Sequence, residues 1–319
     1  MKTALCLTPD RAFFRPAICT AATILAQDDA DQFDVFVVCE SEDVAAGVDR
    51  LAPDLRRRIK ILCVDFSTFD RGLRAEGRFS RAVFRRLFLD RVLPPDYERI
   101  VSIDSDIWVA RPGLGRLATL DFGGAPFAAA YDMIFLMDFA CNALAKQFQA
   151  DRAALGLAPS TPYFNAGVIA IDRARWSAME LGERVVAALR RAPERYPFLE
   201  QSALNEIIAG GFAPLSPRYN FMGDFLLLDL EAAFQPIALH FVNAPKPWQY
   251  ELWRGEKRFA ENYRAWFAAS PWPELAQDSG RLAAAPARKP RRTPQRRAFA
   301  ERLTAYLRSR AFIDGWRAP

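Results

Sequence analysis

The chain has 319 residues, 51% hydrophobic and 25% charged, with a net charge of +5. That balance describes a folded globular protein with apolar material enough for one large α/β domain, and it argues against a disordered chain. No run approaches the roughly 18 uncharged apolar residues of a membrane-spanning helix, and "MKTALCLTPDRAFFR" meets charge too early for a secretory leader, so a cytosolic location is expected.

Along the first hundred residues, short β-branched runs alternate with amphipathic ones. "TALCL" (3–7), "FDVFVVCE" (33–40), "RIKILCVDF" (58–66) and "RIVSIDSDIWV" (99–109) predict strands. Residues 15–27 and 80–93 predict helices, the second stopped by Pro94-Pro95. Strands that are apolar throughout and separated by helices imply a sheet covered on both faces, a doubly wound α/β architecture. Such sheets bind ligands at the carboxyl ends of their strands. No glycine follows the first strand in "LTPDRAFF", so neither a dinucleotide fingerprint nor a phosphate-cradling loop is present.

Further on, "YFNAGVIAIDRARW" (163–176) predicts a strand running into a helix that continues to about Arg191. "LEQSALNEIIAGG" (199–211) predicts a short helix closed by its glycines. "ALHFVN" (238–243) predicts a last strand and 256–268 a last helix of the body. Residues 283–297, rich in Ala, Pro and Arg, predict a linker. Residues 296–312 then place Phe299, Leu303, Tyr306 and Leu307 on one helical face. The division expected is a body of 1–282 and a basic tail of 283–319. The tail carries ten Lys/Arg against Glu301 and Asp314, more than the whole net charge, so the body is slightly acidic. A basic amphipathic helix of this kind fits an anionic membrane surface, with Phe299, Leu303 and Leu307 inward. Nothing else in the chain supports nucleic-acid binding. The five cysteines show no CxxC or Cys/His spacing and are expected to be free, small buried hydrophobes.

"SIDSDIWV" sets Asp104 and Asp106 two apart in a β-branched run, which in a strand points both carboxylates to one side. Two like charges there need a cation, a shared proton or water. Paired hard oxygen ligands suit Mg²⁺ or Mn²⁺, and an imidazole as third ligand favours Mn²⁺. His240 is the only histidine in the chain. From the residues alone, a solvated Asp turn and a packed core histidine compete evenly or better with the ligand reading.

Five stretches lie in an order that resembles glycosyltransferase family 8: "FRRLFLDRVLPPDYERIVSIDSDIWV", "YFNAGVIAIDRARW", "LEQSALNEI", "RYNFM" and "HFVNAPKPW", within residues 3–268. The resemblance implies a GT-A fold, a Rossmann-like and mostly parallel mixed sheet, and a retaining transfer of glucose or galactose from a UDP-sugar. It implies a glycan or lipid-linked saccharide acceptor, as in lipopolysaccharide or surface polysaccharide synthesis, at the inner face of the cytoplasmic membrane. It also implies Mn²⁺, with Mg²⁺ as the alternative, held by Asp104, Asp106 and His240. Lys246 and Arg86 then reach the donor, as does Ser105 between the two aspartates, with Arg85 the weaker of the two arginines. Asp132 and Asn165 hold the donor sugar, and Thr8 and Asp10 the uracil and ribose. Gln201 stands near the anomeric centre with Glu200 beside it. An amide is a poor nucleophile, so same-face attack is favoured over a covalent intermediate.

The chain departs from the family pattern at Ser202, where an acid is expected, and at Asn243, where a glycine is expected and an asparagine can still take a left-handed backbone. Those departures keep a non-catalytic nucleotide-sugar binder open as a second function. A nucleotidyltransferase is a third, though it would carry a glycine-rich first loop.

Overall fold

The structure is a computed structural model that describes residues 1–44, 47–75, 79–244, 246–249, 257–277 and 293–319. Its strands are β1 (Lys2–Leu7), β2 (Asp34–Cys39), β3 (Ile59–Cys63), β4 (Tyr97–Ile103), β5 (Ile107–Val109), β6 (Phe127–Tyr131), β7 (Phe164–Asp172), β8 (Ala213–Leu215), β9 (Phe221–Met222) and β10 (Ala238–His240). Seven of them form one sheet in the order β3-β2-β1-β4-β7-β6-β8, and β5-β10-β9 form a small second sheet. In the large sheet every neighbouring pair is parallel except those made by β7, which runs against both β4 and β6.

The unbroken apolar runs are explained by burial on both faces. Alternate residues of β1 enter different cores: Ala4 and Cys6 on one face, Leu5 and Leu7 on the other. Helix α1 (Phe14–Leu25) covers the second face. Helices α2 (Leu181–Arg191) and α3 (Leu199–Ile208) cover the first. Helix α4 (Lys257–Ala269) sends Phe259, Tyr263 and Phe267 into the first core as well.

Several expected elements differ in detail. The predicted helix 80–93 is a 3₁₀ helix over Arg81–Phe88, followed by one α-turn at Leu89–Val92. Adjacent residues of a 3₁₀ helix diverge by about 120°, which sends Arg85 and Arg86 to different partners. The helix after β7 is broken at Glu180, whose φ of 51° is left-handed. Helix α3 ends on Ala209 in the left-handed region, with Gly210 only following it. Of the five free cysteines, Cys6, Cys19 and Cys39 are buried as expected, but Cys63 and Cys141 are exposed.

The tail is the largest correction. Helix α5 (Pro294–Arg308) begins inside the segment expected to be linker, with Thr293 Oγ1 accepting from the Arg296 amide and Pro294 in its first turn. The rest of that linker, with Arg288, Lys289, Arg291 and Arg292, lies outside the described residues. Phe299, Leu303 and Leu307 are buried in the body's own core, Leu303 completely. Tyr306 packs on Tyr131, Phe135 and Phe139. Beyond the helix, Asp314 accepts from the Ser216 amide and hydroxyl at 3.0 and 2.9 Å. The apolar face expected to enter lipid is therefore covered by protein, each large side chain contributing roughly 1.5–3 kcal/mol to docking. Among the described residues no helix is long and apolar enough to cross a membrane.

Candidate active site

The topology brings three strand ends to one edge of the large sheet. Strands β4 and β6 deliver their carboxyl ends there. Because β7 is antiparallel to both, it delivers its first residues: Ile103 pairs with Val168, and Tyr131 pairs with Phe164. Asp104, Asp132, Asn165 and Gly167 thereby become neighbours, although they come from separate parts of the sequence. Thr8 and Asp10 follow β1, whose Cys6 pairs with Ser102, so they extend toward the same edge. Both are partly buried, and Asp10 Oδ1 accepts from the Phe13 amide at 2.9 Å.

The predicted strand 99–109 does not pass through the acidic pair. It leaves the large sheet after Ile103, turns through Asp104-Ser105-Asp106 and enters the small sheet at Ile107. The Asp104 amide donates to Gly167 O at 2.8 Å and the Phe241 amide to Asp106 O at 3.1 Å, so the turn bridges the two sheets. The Thr20 hydroxyl of α1 lies 3.0 Å from Ser105 O and 2.8 Å from Ile107 O, latching the turn from behind. The carboxylates converge because the chain turns, not because a strand alternates. Ser105 itself is partly buried.

Strand β10 sets His240 opposite Ile107. His240 Nε2 lies 3.6 Å from Asp104 Oδ2 and 3.3 Å from Asp106 Oδ1. One ligand atom from each of the three residues lies within 4.8 Å of the others. His240 and Asp106 are buried, while the Asp104 side chain keeps 28% of its surface exposed.

Two cations flank the trio. Lys246 Nζ donates to Asp106 Oδ2, to Phe241 O at 2.7 Å and to Val242 O at 3.0 Å. Its loop is anchored by Trp248, which packs against Phe13 and Tyr263. Arg86 donates to Asp104 Oδ1 at 2.6 Å and to Ala166 O, with Glu200 Oε1 at 3.6 Å. Arg85 is turned away, pairing with Glu40, Asp43 and Pro9 O. Burial works against ionisation of Asp106, but the positive charge beside it, Lys246 first, outweighs that and holds its carboxyl below the ordinary carboxylate range. Burial pushes Glu200 up to about 7, with Arg86 opposing. Burial also raises Asp132.

Behind the charged trio lies a buried run of amides. Asp132 Oδ2 accepts from Asn165 Nδ2 at 2.7 Å and Gln201 Nε2 at 3.1 Å, and its Oδ1 accepts from the Ile134 amide. Gln201 Oε1 accepts from the Ala166 amide at 2.9 Å, so both ends of that side chain are fixed. Ser202 is wholly buried, bonded to Tyr163 and to the Phe198 amide. Asn243 is not among the residues with a left-handed backbone, so it does not use the freedom expected of it.

Thr20, Gly167 and Asn220 were not singled out from the sequence. Asn220 sits within "RYNFM" and Gly167 within "FNAG", so the motifs were in view without their roles. A Cβ at Gly167 would come 2.2 Å from His240 Cε1, which is why only glycine fits there.

Comparison with known proteins agrees with this architecture. A mixed sheet of this order with an acidic turn at its carboxyl edge is the GT-A arrangement. The chain belongs to glycosyltransferase family 8, whose family model matches residues 4–251. The lipopolysaccharide 1,2-glucosyltransferase of Escherichia coli (strain K12) is 24% identical over 209 residues, 61% of this chain and 56% of that protein. The general stress protein A of Bacillus subtilis (strain 168) is 24% identical over 206 residues, 60% of this chain and 66% of that protein. The chain thus spans less than two thirds of the length of either. The E. coli lipopolysaccharide glucosyltransferase WaaO is 22% identical over 278 residues, 84% of this chain and 78% of that protein. Among solved structures, galactosyltransferase LgtC in complex with donor and acceptor sugar analogs has a TM-score of 0.65 at 18% identity, covering 89% of this chain and 98% of that one. At that identity the likeness establishes the fold.

Proposed function

We propose that this protein is a retaining hexosyltransferase that moves glucose or galactose from a UDP-sugar to a saccharide acceptor, with a lipid-linked glycan such as growing lipopolysaccharide as the acceptor class. The observation that carries this reading is the convergence of Asp104 Oδ2, Asp106 Oδ1 and His240 Nε2 at the carboxyl edge of a family 8 sheet, with Lys246 and Arg86 beside them. Kinship with two lipopolysaccharide glucosyltransferases supports the acceptor class.

The donor set fits a divalent cation of the Mn²⁺ or Mg²⁺ type: two hard carboxylates and one imidazole nitrogen face each other, and such a set repels itself unless positive charge offsets it. A cation held by Asp104, Asp106 and His240 supplies charge neutralisation at the departing diphosphate. The chain's own residues do the rest. Lys246 exchanges its bond to Asp106 for the diphosphate and places a second positive charge there. Arg86, bonded to Asp104, reaches the donor from the same side. Thr8 and Asp10 meet the uracil and ribose, with Ser105 of the acidic turn also on the nucleotide side. Asp132 and Asn165 hold the sugar.

Gln201, fixed at both ends, leaves no nucleophile at its position. The bond from the anomeric carbon to phosphate therefore breaks while the acceptor oxygen bonds the same face, and the acceptor proton passes to the departing phosphate oxygen. The binder-only reading rested on Ser202 and Asn243, and Ser202 is a buried core hydroxyl. An acceptor anchored in an anionic surface would meet the exposed arginines of α5 (Arg297, Arg302 and Arg308) and not its apolar face.

A panel of UDP-sugars with Mn²⁺, scored for thermal stabilisation and UDP release, tests this reading. One or two UDP-hexoses should stabilise the protein and be slowly hydrolysed, and Asp106→Asn should abolish release. Binding without turnover across many acceptors would replace the transferase with a binder.

A further inference from the structure

His240 presents Nδ1 to Asn220 Oδ1 at 2.7 Å, and the groups behind Asn220 decide which atom carries the proton. The sequence of bonds starts from a donor of fixed identity, the Gly167 backbone N–H, which points at Asn165 at 2.9 Å and so requires the amide oxygen there. Asn165 Nδ2 then faces the Asp132 carboxylate at 2.7 Å, a second and independent reason for the same orientation. That oxygen of Asn165 also faces Asn220 at 2.8 Å, so Asn220 must turn its NH₂ toward it. The Asn220 oxygen is left for His240. An amide oxygen only accepts, and Nδ1 therefore bears the hydrogen.

In the neutral ring the lone pair is then on Nε2, the atom that faces Asp104 and Asp106. Turning Asn220 over would set two amide oxygens against each other inside the protein. Asn220 is fully buried, Asn165 is 5% exposed and His240 3%, so solvent does not relieve that conflict. Gly167 closes the ring in from the side, where a Cβ would lie 2.5 Å from Nδ1.

We propose that Asn220 is a positioning residue: it locks His240 in the Nδ1–H tautomer, so that Nε2 is a ready ligand for a divalent cation shared with Asp104 and Asp106. The inference rests on the reading of that trio as a cation site. It assigns a task to "RYNFM", a motif that otherwise has none. It also joins the two ends of the site, because the same bonds run on through Asn165 to Asp132 and Gln201.

The single histidine makes the test direct. Protein labelled with ¹⁵N-histidine gives one imidazole, whose nitrogen shifts report the tautomer without assignment. In the metal-free full chain, at a pH where the ring is neutral, wild type should show Nδ1 protonated and Nε2 bare. Asn220→Asp keeps an acceptor for Nδ1–H and should retain that form, at a cost in stability because it loses the donor to Asn165 and turns an oxygen toward it. Asn220→Ala should lose that form. Mn²⁺ titrations read by electron paramagnetic resonance should show Asn220→Ala binding about 10-fold or more weakly.

Wild type in the Nε2–H form overturns the proposal without any variant, so failure of Asn220→Ala to fold does not shelter it. Asn220→Ala with wild-type tautomer and Mn²⁺ affinity, beside a His240→Ala that loses Mn²⁺, refutes the role of Asn220 and leaves the cation site standing. A His240→Ala that binds Mn²⁺ as wild type does would instead remove the cation site, and the tautomer measurement would still decide what Asn220 does to the ring.

Discussion

At the front of the site Asp104, Asp106, Lys246 and Arg86 meet as full charges around His240, on a turn that leaves Asp104 partly open to solvent. Behind them Asn165, Asn220, Gln201 and Asn205 are uncharged and buried, joined to one another, to backbone and to Asp132. The contrast separates two tasks. The ion pairs are themselves largely buried, with Lys246 at 12% and Asp106 at 10% side-chain exposure and only Asp104 open to solvent. An incoming ion can still take the place of the partner that a charge gives up. Buried amides have no alternative partners and lose the full hydrogen-bond energy if they move. The front is suited to changing partners and the back to holding geometry.

Removing a charge at the front should cost function beyond any cost to the fold. Lys246→Ala is expected to reduce UDP release about 10²–10³-fold in protein that is still folded, with some loss of melting temperature because Asp106 stays buried without its ammonium. Unchanged UDP release by the folded variant would mean that the lysine braces the loop and nothing more. The back end leans on the tail, since α5 packs on Tyr131, next to Asp132. Leu303→Ala should therefore lower stability by about 2–5 kcal/mol, measured by denaturant unfolding. A loss under about 0.5 kcal/mol would detach the tail from this account. Gly167→Ala, which collides with the His240 ring, should cost about 1–3 kcal/mol and weaken Mn²⁺ binding about 10-fold. Unchanged Mn²⁺ affinity would show that the ring has room to shift.

Glu200 gives an effect that depends on pH. Its folded-state pKa, about 7, lies above the ordinary 4.5, so the native state keeps a proton that the unfolded chain has already lost. Its contribution to stability therefore falls as pH rises from about 4.5 through about 7. Glu200→Gln cannot titrate and should gain on wild type by on the order of 2 kcal/mol between about pH 5 and pH 8. Parallel pH dependences would place the carboxyl in a less buried setting.

How far the sequence could be read follows the same division. The charged front came into view through the family resemblance, since by residue type alone Asp104 and Asp106 fit a solvated turn as well and His240 fits a packed core better. The supports of that front did not come into view. Thr20 reaches Ser105 across 85 positions, and Asn220 reaches Asn165 across 55, contacts that no local pattern encodes. The antiparallel entry of β7, which carries Asn165 and Gly167 to the site, is equally invisible in an apolar run. Periodicity did find the apolar face of α5. It could not say what covers that face, because Phe299, Leu303 and Leu307 fit a protein core and a lipid surface alike, and the docking was decided by Tyr131 and Phe135 elsewhere in the chain. The turn at Asp104–Asp106 was read as a strand because both flanks are β-branched, with nothing local to show that they belong to different sheets.

The central claim is that Asp104, Asp106 and His240 act together as a cation site for a diphosphate donor. Calorimetric titration of UDP into the full chain, with and without Mn²⁺, tests it most directly across wild type, Asp106→Asn and His240→Ala. Mn²⁺-dependent UDP binding is expected in wild type and should fall by about 10-fold or more in each variant, with each variant still unfolding cooperatively. UDP binding of equal strength with and without Mn²⁺ in all three proteins would contradict it.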